Sequence, residues 1–228
     1  SVKQASSDER VRSVIITGVG RAFSAGTDLQ QLSTGGTPSN ARGEAYANST
    51  DTTRPAPWTL PSIKKPVIGA INGVAVGLGA EFTLQCDVRI AGESARFGWV
   101  FVHRGLVPDT GAGTWLLPRI VGLQNAARLL FSGEIISAQA AKEIGYVLDV
   151  VPDAELMDRA FALAASMSKG GPLATAESKR MLYQGLGRDG VEHMKDNVPT
   201  LNRMFASEDF KEGVNSFLQR RDPVWTGR

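Results

Sequence analysis

Two stretches of this sequence share a rare design, and together they constrain its fold more than anything else. The first is Gly18-Val-Gly-Arg-Ala-Phe-Ser-Ala-Gly-Thr-Asp-Leu29, entered from the β-branched residues Ile15, Ile16 and Thr17. The second is Gly73-Val-Ala-Val-Gly-Leu-Gly-Ala-Glu-Phe82, entered from Val67, Ile68 and Ile71. In each, a buried-strand run breaks into a turn of small residues and then continues as a helix. Glycine and alanine keep side chains out of such turns, so backbone and ligand can approach closely. A helix start also presents N–H groups without intrahelical partners, at the positive end of the helix dipole. Two turns of this kind can aim two N–H donors at one oxygen. That is the geometry of an oxyanion hole, suited to a carbonyl that becomes an enolate.

The rest of the chain agrees with an α/β organisation. Residues 13–17, 67–71 and 88–91 read as short buried strands, each near a turn signal. Helical patterns at 78–86, 114–121 and 124–131 separate or follow them, and this alternation implies a sheet with covered faces. Residues 33–61 are dominated by Gly, Ser, Thr, Asn and Pro and read as a long mobile loop. Residues 137–144 read as a helix capped by Ser137, and 146–151 as a closing strand. Beyond Asp153 the pattern is helical, over 154–168, 172–186, 191–206 and 207–220. We therefore expect a core domain over 1–150 and a helical oligomerisation region over 151–228.

Composition excludes several classes of function. A net charge of +2 with no Lys/Arg run longer than two residues argues against nucleic acid as a partner. One cysteine, Cys86, cannot form an internal disulfide and points to a reducing cytoplasm. The polar start of the chain lacks the apolar core of a signal peptide, and no apolar run is long enough to cross a bilayer, so no membrane is expected. Two isolated histidines, His103 and His193, and that one cysteine supply no metal cluster. Gly18-Val-Gly20 is followed by Phe23 where a dinucleotide-binding turn needs its third glycine. Ser24 lacks the G-x-S-x-G elbow of a serine hydrolase.

Within these limits the sequence resembles the crotonase family, the enoyl-CoA hydratase/isomerase superfamily. The resemblance is carried by Arg21-Ala-Phe-Ser-Ala-Gly-Thr-Asp-Leu29, Lys65-Pro-Val-Ile-Gly-Ala-Ile-Asn-Gly73, Gly77-Leu-Gly-Ala-Glu81, Cys86-Asp87, Phe97-Gly98, Gly105-Leu-Val-Pro-Asp109 and Lys211-Glu-Gly…Phe217-Leu-Gln-Arg220, in order. It implies a spiral of ββα units with a helical C-terminal region, assembled as a trimer or a dimer of trimers. Members carry a further strand-rich segment ahead of these motifs, which this sequence does not contain. The resemblance assigns the oxyanion-hole N–H groups to Thr27 and Leu78. It places Ala25, Gly26, Asp28, Leu29, Gln30 and Gly77 along the substrate and CoA wall, and matches Arg220 to a basic residue that reaches a neighbour's CoA phosphate. Gln30 stands where some hydratases have a CoA-binding lysine. Coenzyme A enters as part of the substrate, and no separate cofactor is expected.

The acid–base groups depart from the hydratase pattern. Glu81, one turn into the Leu78 helix among Ala80, Phe82 and Leu84, matches one of the two hydratase glutamates. A buried carboxyl there can exchange a proton near neutral pH, although dipole complementarity alone would also explain it. The position of the second glutamate is Phe101, which neither holds water nor moves a proton. The nearby acid is Asp109. It reads equally as a helix N-cap, as the proton-moving carboxylate of some enoyl-CoA isomerases, or as the nucleophile of a CoA-thioester dehalogenase. His103 is a weaker base candidate, and Trp99, Phe101 and Trp115 read as core or acyl-pocket wall.

The expectation is an acyl-CoA enzyme in which Glu81 and Asp109 shift the double bond of an enoyl-CoA. Hydration is the close alternative. A dehalogenase or hydrolase using Asp109, or a non-catalytic acyl-CoA-binding protein, are the other readings.

Overall fold

The computed structural model describes residues 2–28, 58–108 and 110–228. Helix α1 (Val2–Ser7) precedes strand β1 (Val14–Thr17), and β2 (Ala22–Ser24) follows directly. Strands β3 (Val67–Ile71) and β4 (Val74–Val76) lead into helix α2 (Leu78–Leu84). Strands β5 (Val88–Gly92) and β6 (Arg96–Gly98) come next, then a 3-10 turn over Val100–Arg104. Helices α3 (Ala112–Trp115), α4 (Leu117–Val121) and α5 (Leu123–Ser132) precede β7 (Ile135–Ser137), α6 (Ala138–Glu143) and β8 (Asp149–Val151). The chain closes with α7 (Leu156–Met167), α8 (Pro172–Gly185), α9 (Gly190–Ala206) and α10 (Glu208–Leu218).

Among the described residues the strands form two four-stranded sheets, in the orders β1-β3-β5-β8 and β2-β4-β6-β7. The first is parallel throughout, while the second turns antiparallel at β6–β7. Successive strands alternate between sheets: β1, β3 and β5 go to one, and β2, β4 and β6 to the other. Each turn of chain thus adds a strand to both layers, the spiral that the family resemblance implied. The continuous apolar run of β3 is buried at every position, as a strand covered on both faces requires. Helix α7 covers β1, β3 and β5, with Ala70, Ile90, Leu156 and Ala160 at that contact. A second, larger core joins both sheets to α2–α6 around Phe97, Trp99 and Tyr146. The Tyr146 ring meets Phe97 and Trp99 edge-on, each at 5.2 Å between centroids. Trp99 is thereby a core residue, whereas Trp115 is exposed and lies under the Arg119 guanidinium at 3.5 Å.

The three expected strands are present, and Ser137 caps α6 by accepting the Ala140 N–H at 3.2 Å. Two expectations need correction. The helix expected over 114–121 is two, because Pro118 cannot donate its N–H and so falls in the first turn of a new helix. The strand expected over 146–151 is limited to Asp149–Val151, since Tyr146 N–H instead donates to Ala141 O and closes α6. Of the loop expected over 33–61, residues 33–57 lie outside the described residues. Its end is anchored, with Leu60 and Pro61 buried. No helix among the described residues is long and apolar enough to cross a membrane.

Candidate active site

The parallel pairing of β2 with β4 sends the chain out of both strands at the same end. The turn after Ser24 therefore packs on the turn after Val76. Gly26 sits at φ 92°, a left-handed conformation, and a Cβ there would lie 3.0 Å from Val76 O and 3.4 Å from Leu78 N. Any other residue at Gly26 would be strained and would push the two turns apart. Asn72 fixes the connection between β1 and β2: its Oδ1 accepts the Gly18 N–H, and its Nδ2 donates to Gly18 O and Gly20 O. Gly77, at φ 55°, donates its N–H to Gly98 O at 2.9 Å and caps α2. Leu78 is the first residue of that helix, so its N–H has no intrahelical acceptor and stands at the dipole's positive end. Gly26, Thr27, Gly77 and Leu78 are half-buried, and Ala25 and Asp28 are exposed.

Glu81 projects from the first turn of α2 and is fully enclosed. Thr110 Oγ1 donates to its Oε2 at 2.5 Å, and the Gly113 N–H donates to the same oxygen at 3.1 Å. Both donors come from the segment that begins α3. Gly113 has to be glycine for this approach, since a Cβ would stand 2.5 Å from Glu81 Oε1 and 2.9 Å from Pro108. Gly111, at φ 73°, is the N-cap of α3, and Thr110 Oγ1 accepts the Ala112 N–H at 3.2 Å. Trp58 Nε1 donates to Thr110 O at 3.0 Å. Thr110, Gly113 and Trp58 escaped the sequence analysis. The Thr-Gly-Ala-Gly run after Asp109 was a signal of close backbone approach, but nothing in it named Glu81 as the object.

The far end of α2 is held by a buried cation. Arg89 Nη1 donates to the carbonyls of Thr83 and Cys86 at 3.2 and 2.7 Å, and its Nε to Tyr146 O at 2.9 Å. A guanidinium at a helix C-terminus complements its dipole and satisfies its last carbonyls. Tyr146 shares a 2.5 Å hydrogen bond with Thr83, and burial pushes its phenol above the usual range. Cys86 is pushed up to about 12 by burial, so it is an inert thiol at neutral pH.

Phe101 is buried in the larger core. Arg220 lies two residues beyond α10, exposed and in the left-handed region at φ 53°, and α10 packs against α9. His103 is exposed, near Gly133. Among the described residues no three His, Cys, Asp or Glu side chains gather as metal ligands. Leu29, Gln30 and Asp109 lie outside the described residues.

Residues 1–228 match the family model described as Enoyl-CoA hydratase/isomerase. The chain is 37% identical over 228 residues to the 2,3-dehydroadipyl-CoA hydratase of Escherichia coli K12, covering 100% of this chain and 86% of that protein. It is 36% identical over 232 residues to the 1,2-epoxyphenylacetyl-CoA isomerase of the same strain, covering 100% and 86%. Among solved structures, the enoyl-CoA hydratase of Bacillus anthracis superposes with a TM-score of 0.86 at 33% identity, over 100% of this chain and 86% of that one.

Proposed function

Since the chain belongs to the enoyl-CoA hydratase/isomerase family, we propose that within it this enzyme moves the double bond of an enoyl-CoA. The family acts on acyl-CoA thioesters, and its relatives include both hydratases and an isomerase. The observation that carries the choice is the pairing of an enclosed, doubly hydrogen-bonded Glu81 with a buried Phe101. An apolar aromatic stands where hydratases have the second carboxylate that activates water.

In this reading the thioester oxygen sits between the N–H groups of Thr27 and Leu78. One carboxylate removes the α-proton, the C–H electron pair enters a dienolate, and the charge rests on that oxygen. Reprotonation at the γ-carbon by a carboxylic acid moves the double bond, with no atom gained or lost. Glu81 and Asp109 are the two groups assigned to these transfers. Asp109 is covalently next to Thr110, whose hydroxyl is on Glu81. The substrate's CoA runs along Ala25, Gly26, Asp28, Leu29, Gln30 and Gly77. Arg220 of a neighbouring copy reaches its phosphate, in a trimer or dimer of trimers in the cytoplasm. No further cofactor is needed, because the chemistry is proton transfer alone. Hydration is the second reading, favoured by the identity to the dehydroadipyl-CoA hydratase.

Incubation with short and medium 2-enoyl- and 3-enoyl-CoAs in deuterated water separates the two. Migration with deuterium uptake and no added mass of water supports the isomerase. Gain of one water makes the protein a hydratase.

A further inference from the structure

We propose that Thr110 is the positioning residue for Glu81, and that the Trp58 indole holds Thr110 in place to do it. The inference rests on the reading of Glu81 as a catalytic carboxylate. A threonine hydroxyl has one hydrogen to donate. Here Oγ1 already accepts the Ala112 N–H at 3.2 Å, which leaves that hydrogen for Glu81 Oε2 at 2.5 Å. The carboxylate's rotation about its last bond is thus fixed by two donors from one short segment, the Thr110 hydroxyl and the Gly113 N–H. A single N–H would let the plane of the carboxylate swing; two donors 3 residues apart define it.

That segment is itself pinned. Gly111 within it and Gly105 ahead of it sit at φ 73° and 65°. A side-chain hydrogen bond also reaches the segment from Trp58, whose indole N–H meets Thr110 O at 3.0 Å. Trp58 is half-buried against the larger core, so its ring is fixed by packing and its N–H by Thr110. The chain Trp58 Nε1–H to Thr110 O, then Thr110 Oγ1–H to Glu81 Oε2, therefore joins the strand-leading turn before β3 to the carboxylate on α2. A misplacement of about 1 Å at a reacting group costs up to roughly a hundredfold in rate.

The test compares Thr110→Val, Thr110→Ser, Trp58→Phe and Glu81→Gln on the full chain, with a panel of short- and medium-chain 3-enoyl-CoAs and double-bond migration as the readout. Thr110→Val keeps the side-chain shape and removes the hydroxyl. It is expected to lower kcat by roughly ten- to a hundredfold with KM little changed. Thr110→Ser restores the hydroxyl and is expected to recover most of the rate. Trp58→Phe keeps the ring, removes its N–H and is expected to fall between. Wild-type kcat in Thr110→Val alongside an inactive Glu81→Gln overturns the positioning role while leaving Glu81 catalytic. Full activity in Glu81→Gln, or a wild-type protein inert toward the whole panel, overturns the Glu81 reading and the positioning role with it. A crystal structure of Thr110→Val with the Glu81 carboxylate in its original plane also overturns the positioning role, whatever the substrate.

Discussion

Lys179 Nζ lies 2.7 Å from Asp87 Oδ2, both side chains are almost wholly enclosed, and their contact ties helix α8 to the strands beneath the site. Asp87 Oδ2 also accepts the Val67 N–H at 2.7 Å, and Oδ1 accepts the Tyr183 hydroxyl at 2.7 Å. Lys179 spends its remaining hydrogens on the carbonyls of Leu60 and Lys65. The Cys86-Asp87 pair noted in the sequence thus serves architecture rather than chemistry. It fixes the turn between α2 and β5.

Removing one partner of this pair leaves a buried charge without its counter-ion. Lys179→Met is expected to cost about 3–5 kcal/mol, read from urea unfolding. A loss below about 1 kcal/mol, the range of an exposed ion pair, would show that the pair contributes little.

Alkaline pH should unfold the protein through the same region. Burial raises the Cys86 thiol from 9.0 to about 12, and it raises the phenols of Tyr146 and Tyr183 as well. An acid whose folded value is raised contributes stability that is complete below its unfolded value and is lost as pH climbs toward the folded one. Stability should therefore hold to about pH 9 and fall from there to about 12. Lys179, lowered chiefly by burial, works in the opposite sense just below its ordinary 10.5. Denaturant unfolding of the wild type and Cys86→Ala across this range checks the sign, and the variant should show the shallower decline.

Glycine at position 79 is required by the contact that seats α2 on β2. A Cβ there would lie 2.2 Å from Ser24 O, a backbone atom that cannot step aside. Gly79→Ala is expected to destabilise the fold by about 1–3 kcal/mol, as overpacking does, and to lower turnover by displacing Leu78. Calorimetry beside an activity assay checks both; unchanged values in each would contradict the close seating of the two turns.

The two carboxylates can be separated by isosteric substitution. Glu81→Gln and Asp109→Asn should each lower turnover at least about a hundredfold, the scale of a lost general acid or base. CoA-ester affinity, measured by calorimetric titration, should change little. Full activity in Asp109→Asn would remove Asp109 from the mechanism and leave Glu81 to act alone.

Much of this protein was determined by its sequence. The run Val67–Ile71 is apolar at enough consecutive positions to be a buried parallel strand wherever it is placed. Ser137, Asp189 and Ser207 cap their helices through their own side chains. The small-residue turns at Gly26 and Gly77 were legible because only glycine tolerates their backbone. Each of these is a local property, written within a few neighbouring residues.

The tertiary structure alone decided the second sheet and the surroundings of Glu81. Strands β2, β4, β6 and β7 have three residues each, too few to carry a period of two, and they exist because the first sheet's spiral brings them side by side. Thr110 and Gly113 reach Glu81 across 29 and 32 residues of chain, and Trp58 reaches Thr110 across 52. No local pattern encodes such a meeting. It follows from loop closure and packing, whose free energy is shared by the whole core rather than held in any one segment.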